Sequence, residues 1–465
     1  MQYNPVTEEQ IKVFEEILGK GYVIKGKEET EAYSMDHTED LKFYPEVVLK
    51  PANTSEVSRI LSYCNQNLIP VTARGAGTGL SGGALPIFGG VGLSMERFNK
   101  ILEIDERNFQ VTVEPGVINE ALQNALKEKG LFYPPDPASK GSCFLGGNIA
   151  HSSGGPRALK YGTTRDYVLN LEVVLANGDI IETGANTLKY STGYNLTHLM
   201  IGSEGTLGIV TKIVFKLIPL PKNTLLMLAP FASPELACTA VNGIFLEGCN
   251  PSACEFVEPD GFRLAADMHK MHFEIAPEVE AYLLIEVDGN DLDLMMLECE
   301  KISEVLYAHK AIDVLFADTS EQKEYFWKLR RSIGEATKHN NTYKEEDTVV
   351  PRAELPVLFK GVKEIAMRYG FRTVCFGHAG DGNLHVNILK DQLSEAFWNT
   401  ELDKAITEIF VLCKKLKGTI SGEHGIGLVQ KKYMNIVMPP HQLELMQKIK
   451  LAFDPKYILN PGKIF

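Results

Sequence analysis

At 465 residues the chain exceeds the size at which one hydrophobic core keeps growing, so two or more domains are expected. Its 23% charged content is ordinary for a globular protein, and a formal charge of -13 argues against a nucleic-acid partner, which needs a basic footprint. Eight cysteines without a Cys-x-x-Cys spacing, no apolar run near the ~18–20 residues of a membrane span, and an N-terminus (Met1 to Thr7) without a basic-then-apolar leader predict a cytoplasmic protein with reduced thiols and no integral membrane segment.

Thr7 and Gln10 form a capping box, and Ile11, Phe14, Ile17 and Leu18 give the stripe of a first helix that Gly19 and Gly21 stop. Val47 to Leu49 reads as a short strand. Asn53 then caps a helix with Val57, Ile60, Leu61 and Cys64 on one face. A strand from Ile69 to Ala73 runs into Arg74-Gly-Ala-Gly-Thr-Gly-Leu-Ser-Gly-Gly83, which holds five glycines between 75 and 83. Gly77, Gly79 and Gly82 satisfy Gly-x-Gly-x-x-Gly, but a dinucleotide fingerprint must open a helix. Here Gly83-Ala-Leu-Pro86 follows, so a nest of backbone N–H groups aimed at an anion is the better physical reading.

Phe109 to Val113 alternates as a strand, and Asn119 to Lys129 reads as a helix closed by Gly130. A second glycine-rich region, Pro134 to Ser139, Gly146 to Ala150 and Ser152 to Gly155, reads as a ligand-wrapping surface poor in regular structure. Asn177-Gly178 between two strands predicts a type I′ hairpin. Gly202-Ser-Glu-Gly-Thr-Leu-Gly208 is a third glycine loop feeding a strand, and Pro219 and Pro221 mark a domain boundary. Strands and helices then alternate: Tyr282 to Val287, Leu294 to His309, Ala311 to Phe316, and helices from Ser320 and Ala353.

Two windows near the end concentrate chemistry. Gly377-His-Ala-Gly-Asp-Gly-Asn-Leu-His-Val-Asn387 and Ser421-Gly-Glu-His-Gly-Ile-Gly427 hold three of the eleven histidines: His378, His385 and His424. With Gly202 to Val210, Pro135 to Ser139, Gly146 to Asn148, the first glycine loop and Leu459-Asn-Pro-Gly-Lys463, these stretches resemble, in order, the flavin-dependent D-2-hydroxyacid dehydrogenases. That family includes D-lactate dehydrogenase, the glycolate oxidase D subunit and D-2-hydroxyglutarate dehydrogenase, within the vanillyl-alcohol-oxidase/PCMH flavoproteins.

The resemblance implies an α+β fold: a two-lobed PCMH-type FAD-binding domain over 1–220, an α+β cap domain over 221–417, and a C-terminal segment, 418–465, returning to the FAD domain. It implies FAD contacts from Arg74, Gly75, Ala76, Gly77, Thr78, Gly79, Ser81 and Gly82 in the first loop, which would cradle the pyrophosphate. Pro135, Asp136, Ser139, Gly146, Gly147, Asn148, Ser153 and Gly154 follow in the second region, Gly205, Ile209 and Val210 in the third, then Glu423 and Asn460. Relatives with covalent flavin often carry histidine in the first loop; Thr78 and its neighbours imply non-covalent FAD.

The reaction so implied moves a hydride from Cα to flavin while the hydroxyl loses its proton. A divalent metal suits that task, since it can lower a bound water's pKa from about 15.7 to about 7. His378 and His385 flank the turn at Gly380-Asp-Gly382 and can converge, and Glu423 completes two imidazoles and a carboxylate with open positions. Zinc is favoured, with iron or manganese also matching that donor set. Asn387 shares a strand face with His385 and would touch substrate. His424 points away from Glu423's side and serves as general base. For the substrate carboxylate, Arg330 lies on the helix face bordering Phe326 and Leu329, with Lys344 a second candidate.

D-lactate is the preferred substrate by motif wording, with glycolate and D-2-hydroxyglutarate as alternatives. A metallohydrolase without flavin and a non-catalytic flavin subunit are the other classes weighed, and the absorbance spectrum separates them. Electrons leave through a partner, an electron-transferring flavoprotein or an iron–sulfur subunit among them, and the assembly is a homodimer or a larger complex.

Overall fold

A computed structural model describes residues 2–38 and 41–465; Met1, Glu39 and Asp40 lie outside the described residues. The chain forms two compact units. One comprises 1–154, 163–220 and 423–465, the other 155–162 and 221–422.

The first unit holds two larger sheets and a two-stranded one, Leu131–Phe132 with Ile218–Pro219, among the described residues. In one, Val47–Leu49 and Val71–Arg74 flank Val91–Ser94 in parallel, and Val23–Lys25 adds an antiparallel edge. These strands are buried on both sides, which is why they read as unbroken apolar runs. Helix Glu8–Leu18 starts at the expected capping box and sets Phe14 into the same core. Helix Thr54–Asn67 adds Val57, Ile60, Leu61 and Cys64, all fully buried. Each such apolar side chain contributes about 1.5–3 kcal/mol.

The C-terminal segment belongs to this core. Leu459 bridges Val71 in parallel, and Lys450 Nζ donates to the carbonyls of Thr206 (2.6 Å) and Leu459 (3.0 Å) beside Asp454. The second sheet runs Ile101–Asp105, Gln110–Val113, Ile209–Lys216, Val168–Val174, Ile180–Glu182, antiparallel throughout.

Two local expectations change. The second glycine region is not irregular throughout: Leu145–His151 forms a short helix, because Leu145 and Ile149 are fully buried and Phe144 accepts from the N–H groups of Gly147 and Asn148. At Asn177-Gly178 only the glycine takes positive φ (+93°), and the strands close through Leu175 N–H to Asp179, so the turn is longer than a two-residue type I′ hairpin.

The second unit is built on an antiparallel sheet with the order Leu315–Phe316, Asn223–Phe231, Ala281–Gly289, Ala253–Val257, Arg372–Gly377, Asn383–Leu389, Tyr343–Val349. Helices Pro259–His269, Ser320–Arg331 and Ile333–Asn340 pack on part of one face through Phe262, Leu329 and Ile333. Helices Pro234–Leu246, Leu292–Ala308, Leu355–Tyr369 and Leu402–Lys415 pack on this sheet as well. The excursion at 155–162 is pinned to one strand by Arg157 to Glu286 (3.1 Å), Lys160 to Asp288 (2.6 Å) and Tyr161 to Asp288 (2.8 Å). No helix among the described residues is long and apolar enough to cross a membrane.

Candidate functional site

In the first unit the glycine regions meet. No helix follows the first loop; the chain passes through turns to the strand Val91–Ser94. The backbone N–H groups of residues 76–81 donate to no protein acceptor among the described residues. Gly82 N–H is taken by Thr38 Oγ1 at 2.6 Å. Gly77 has φ +75°, and a Cβ there would lie 2.3 Å from Arg74 Nη2, so only glycine lets the guanidinium sit under the turn. Arg74 is buried, which lowers its pKa, and its Nη1 has no hydrogen-bond partner among the described residues. Ser81 Oγ and His151 Nδ1 are likewise buried without one. Open N–H groups with an under-used guanidinium are what an anionic pyrophosphate requires, so these residues fit the FAD that the sequence implies.

The other expected contacts gather here. Gly75 lies beside Gly147 and Phe144, and Gly205 beside Ala73. Asn460 Nδ2 donates to Gly83 O (2.9 Å) and Glu204 O (2.8 Å), tying the first loop to the third. Pro135 O accepts from Asn119 (3.1 Å), and Asn148 Nδ2 donates to Asn119 Oδ1 (3.3 Å). Asp136 is fully buried, Ser139 O accepts from Cys143 N–H (2.8 Å), and Ser153 O accepts from Thr164 Oγ1 (2.8 Å). Ile209 and Val210 pair with Val174 and Val173. Ala76, Thr78 and Gly79 line the loop itself, with Gly79 facing His151 Nε2.

The loop after Gly422 is strapped onto this cradle. Gly154 N–H, just past the end of the helix Leu145–His151, donates to Glu423 Oε2 (3.1 Å). Glu204 accepts from Ile426 N–H (2.8 Å) and Gly427 N–H (2.7 Å), and Leu428 N–H reaches Ser81 O (2.7 Å). His424 therefore sits, half-buried, on a loop fixed at both ends. Sequence reasoning missed Glu204, whose backbone lies at φ +51°.

In the second unit, His378 and His385 are both nearly buried, with ring centroids 5.4 Å apart and edge to face. Each offers a ring nitrogen within 4.8 Å of the other's. The turn between them needs Gly382, at φ +81°, where a Cβ would lie 2.0 Å from Val350 O. Both rings are backed by acids the sequence did not flag. His378 Nδ1 lies 2.9 Å from Glu255 Oε1, while His385 Nδ1 faces Glu345 at 3.5 Å and Asp347 at 3.7 Å. Burial pushes the pKa of Glu255 up, but Arg330 and His378 more than offset it and leave the carboxyl below its ordinary range. With Nδ1–H donated back to Glu255, Nε2 of His378 is left as an acceptor, the arrangement of metal-binding histidines.

Arg330 is brought to the same face, its Nη2 2.5 Å from Glu255 Oε2 and its Nε without a hydrogen-bond partner among the described residues. Arg331 stacks instead over Trp327. Asn387 is fully buried, and neither atom of its amide has a partner among the described residues. It shares the face of His385, as the strand alternation required. Lys344 is not brought there. It pairs with Ile388, leaves by the opposite face, and lies 5.6 Å from the Trp398 ring centroid.

The chain matches the FAD binding domain model over residues 45–184 and the C-terminal domain model of FAD linked oxidases over 220–464. It is 41% identical to glycolate oxidase subunit GlcD of Bacillus subtilis, across 93% of this chain and 92% of that protein. It is 40% identical to D-lactate dehydrogenase of Anaerostipes hadrus, across 100% and 98%. Identity to D-2-hydroxyglutarate dehydrogenase of Xanthomonas citri is 35%, across 94% and 92%. Among solved structures, p-cresol methylhydroxylase superposes with a TM-score of 0.81 at 18% identity, covering 100% of this chain and 98% of that one, which establishes the shared PCMH-type fold.

Proposed function

Because the chain belongs to the FAD-linked oxidoreductases of the D-lactate, glycolate and D-2-hydroxyglutarate dehydrogenase type, we propose that it oxidises a D-2-hydroxyacid to the 2-oxoacid. D-lactate is the favoured substrate. His378, His385 and Glu423 hold a divalent metal, zinc before iron or manganese. The observation that carries this reading is the pair of buried imidazoles with a carboxylate behind each Nδ1. What supports Glu423 as the third ligand is its place in the chain: Gly422 N–H and Ser421 Oγ, one and two residues before it, both donate to Asp347 Oδ2, at 2.8 and 3.0 Å.

When bound, FAD supplies the two-electron acceptor and the metal supplies the Lewis acidity that makes the substrate hydroxyl acidic. The protein's own residues do the rest. Arg330 binds the substrate carboxylate, and Glu255 holds that guanidinium in place. Asn387 offers an amide whose alternatives are exhausted by burial, so it orients the substrate at Cα. His424 accepts the hydroxyl proton, a role for which imidazole's ordinary range around neutral pH is suited. Electrons then pass to a redox partner, an electron-transferring flavoprotein or an iron–sulfur subunit, with the protein working in the cytoplasm as part of an oligomer. The relative named as a glycolate oxidase subunit supports such an assembly.

The purified holoprotein is expected to be yellow, to bleach anaerobically with D-lactate and not L-lactate, and to lose that reaction after prolonged chelation. Equal bleaching by both enantiomers, or a colourless protein, removes the reading.

A further inference from the structure

The strand Tyr343–Val349 carries a run of charges, Lys344-Glu-Glu-Asp347, in which a shift of one residue replaces two acids facing the histidines with a lysine and an acid. The register decides the matter. Glu345 lies directly across from Asn387 and Asp347 across from His385, whereas Lys344 points to the other face. Asp347 is committed to the fold: it accepts from Asn383 Nδ2 at 2.7 Å and from Gly422 N–H at 2.8 Å. Glu345, its side chain only 7% exposed, stands beside the buried amide that awaits a ligand. Side chains directly opposite on neighbouring strands have Cβ atoms about 5 Å apart, so any group bonded to Asn387 feels the Glu345 carboxylate at short range in a poorly screened setting.

Three cations at this sheet are each set against an acid: Arg330 on Glu255, Arg157 on Glu286, Lys160 on Asp288. A 2-hydroxyacid carries one carboxylate that Arg330 can serve. A second carboxylate on the tail would meet Glu345. We propose that Glu345 is a specificity-determining residue that restricts this site to 2-hydroxyacids with an uncharged tail, rejecting dicarboxylates by charge. The inference rests on the function proposed above, and it narrows the substrate class to lactate- or glycolate-like acids over D-2-hydroxyglutarate or D-malate.

The test uses full-length holoprotein, wild type and the variants Glu345→Gln and Glu345→Lys, with metal content and melting temperature measured on each. The readout is the ratio of kcat/KM for D-lactate to that for D-2-hydroxyglutarate. Wild type is expected to favour D-lactate by at least about a hundredfold. Glu345→Gln should narrow the ratio on the order of tenfold, and Glu345→Lys further or to inversion. If Glu345→Lys does not fold, the isosteric Glu345→Gln decides. A wild type that prefers the dicarboxylate overturns the proposal. So does an unchanged ratio in a folded, metal-replete variant, or loss of metal from Glu345→Gln, which would make Glu345 part of the metal's surroundings. If no 2-hydroxyacid reduces the wild-type flavin, the functional reading fails first, and that result is distinct from an unchanged ratio.

Discussion

Glu255 Oε1 stands 2.9 Å from Nδ1 of His378, while its other oxygen stands 2.5 Å from Arg330. One buried carboxylate thus fixes both a proposed metal ligand and the proposed substrate cation. Removing one partner of a buried ion pair costs about 3–5 kcal/mol, and a lost carboxylate behind a metal histidine weakens metal affinity about 10–100-fold. Glu255→Ala is therefore expected to lower the melting temperature and the metal affinity together. Glu255→Gln, which keeps an acceptor oxygen, should recover part of the stability. Metal titration of the apoprotein and thermal melts check both.

The proposed ligands and base should separate experimentally. His378→Ala and His385→Ala are expected to lose bound metal and turnover. His424→Gln should keep the metal and lose turnover by about 10²–10⁴-fold, the usual worth of a general base. Metal analysis beside steady-state rates reads the difference, and metal loss from His424→Gln would move that residue into the ligand set.

Lys450 organises the C-terminal segment from a buried position with three oxygen partners: Thr206, Leu459 and Asp454. Lys450→Met leaves Asp454 buried without its cation. A loss of about 3–5 kcal/mol in unfolding free energy, measured in urea, is expected.

Lys463, 3% exposed and donating to Leu85 O, has its pKa depressed by burial to about 8, with Asp36 and Glu204 opposing that shift. Between about 8 and the ordinary 10.5 the unfolded chain holds a proton that the folded chain has released. Stability from this group therefore rises with pH across that window, by up to about 3 kcal/mol. Lys463→Met should flatten the rise, as seen in melts of the apoprotein from pH 7.5 to 10.5.

All eight cysteines are buried and unbridged. Burial pushes the thiols of Cys299, Cys375 and Cys413 up to about 12. Native protein at pH 8 is expected to resist iodoacetamide, and all eight thiols should react once it is unfolded.

Local patterns carried the reading where the determinants were local. The capping box at Thr7, the strand Val47–Leu49, and the shared face of His385 and Asn387 depend on residues a few positions apart. Glu255, Glu345 and Glu204 went unseen because their roles come from partners 123, 40 and 222 residues away: His378, His385 and Ile426. A weak signal existed at Ala253–Val257, where one acid interrupts a strand buried along its whole length. Lys344 was drawn to the site by charge type, while strand register, which no local pattern specifies, sent it to the other face.

The chain crosses between the two units after residues 154, 162, 220 and 422. During synthesis, then, the first unit cannot finish when its own first 220 residues have emerged. The strand at Val71 waits for Leu459, and Glu204 waits for Ile426 and Gly427. The second unit can assemble only after its early piece, 155–162, has been left in place for some sixty residues of intervening chain. The contacts that Ile426, Gly427 and Asn460 make with the third and first glycine loops therefore come from the last part of this chain to be made, after the second unit's residues have emerged.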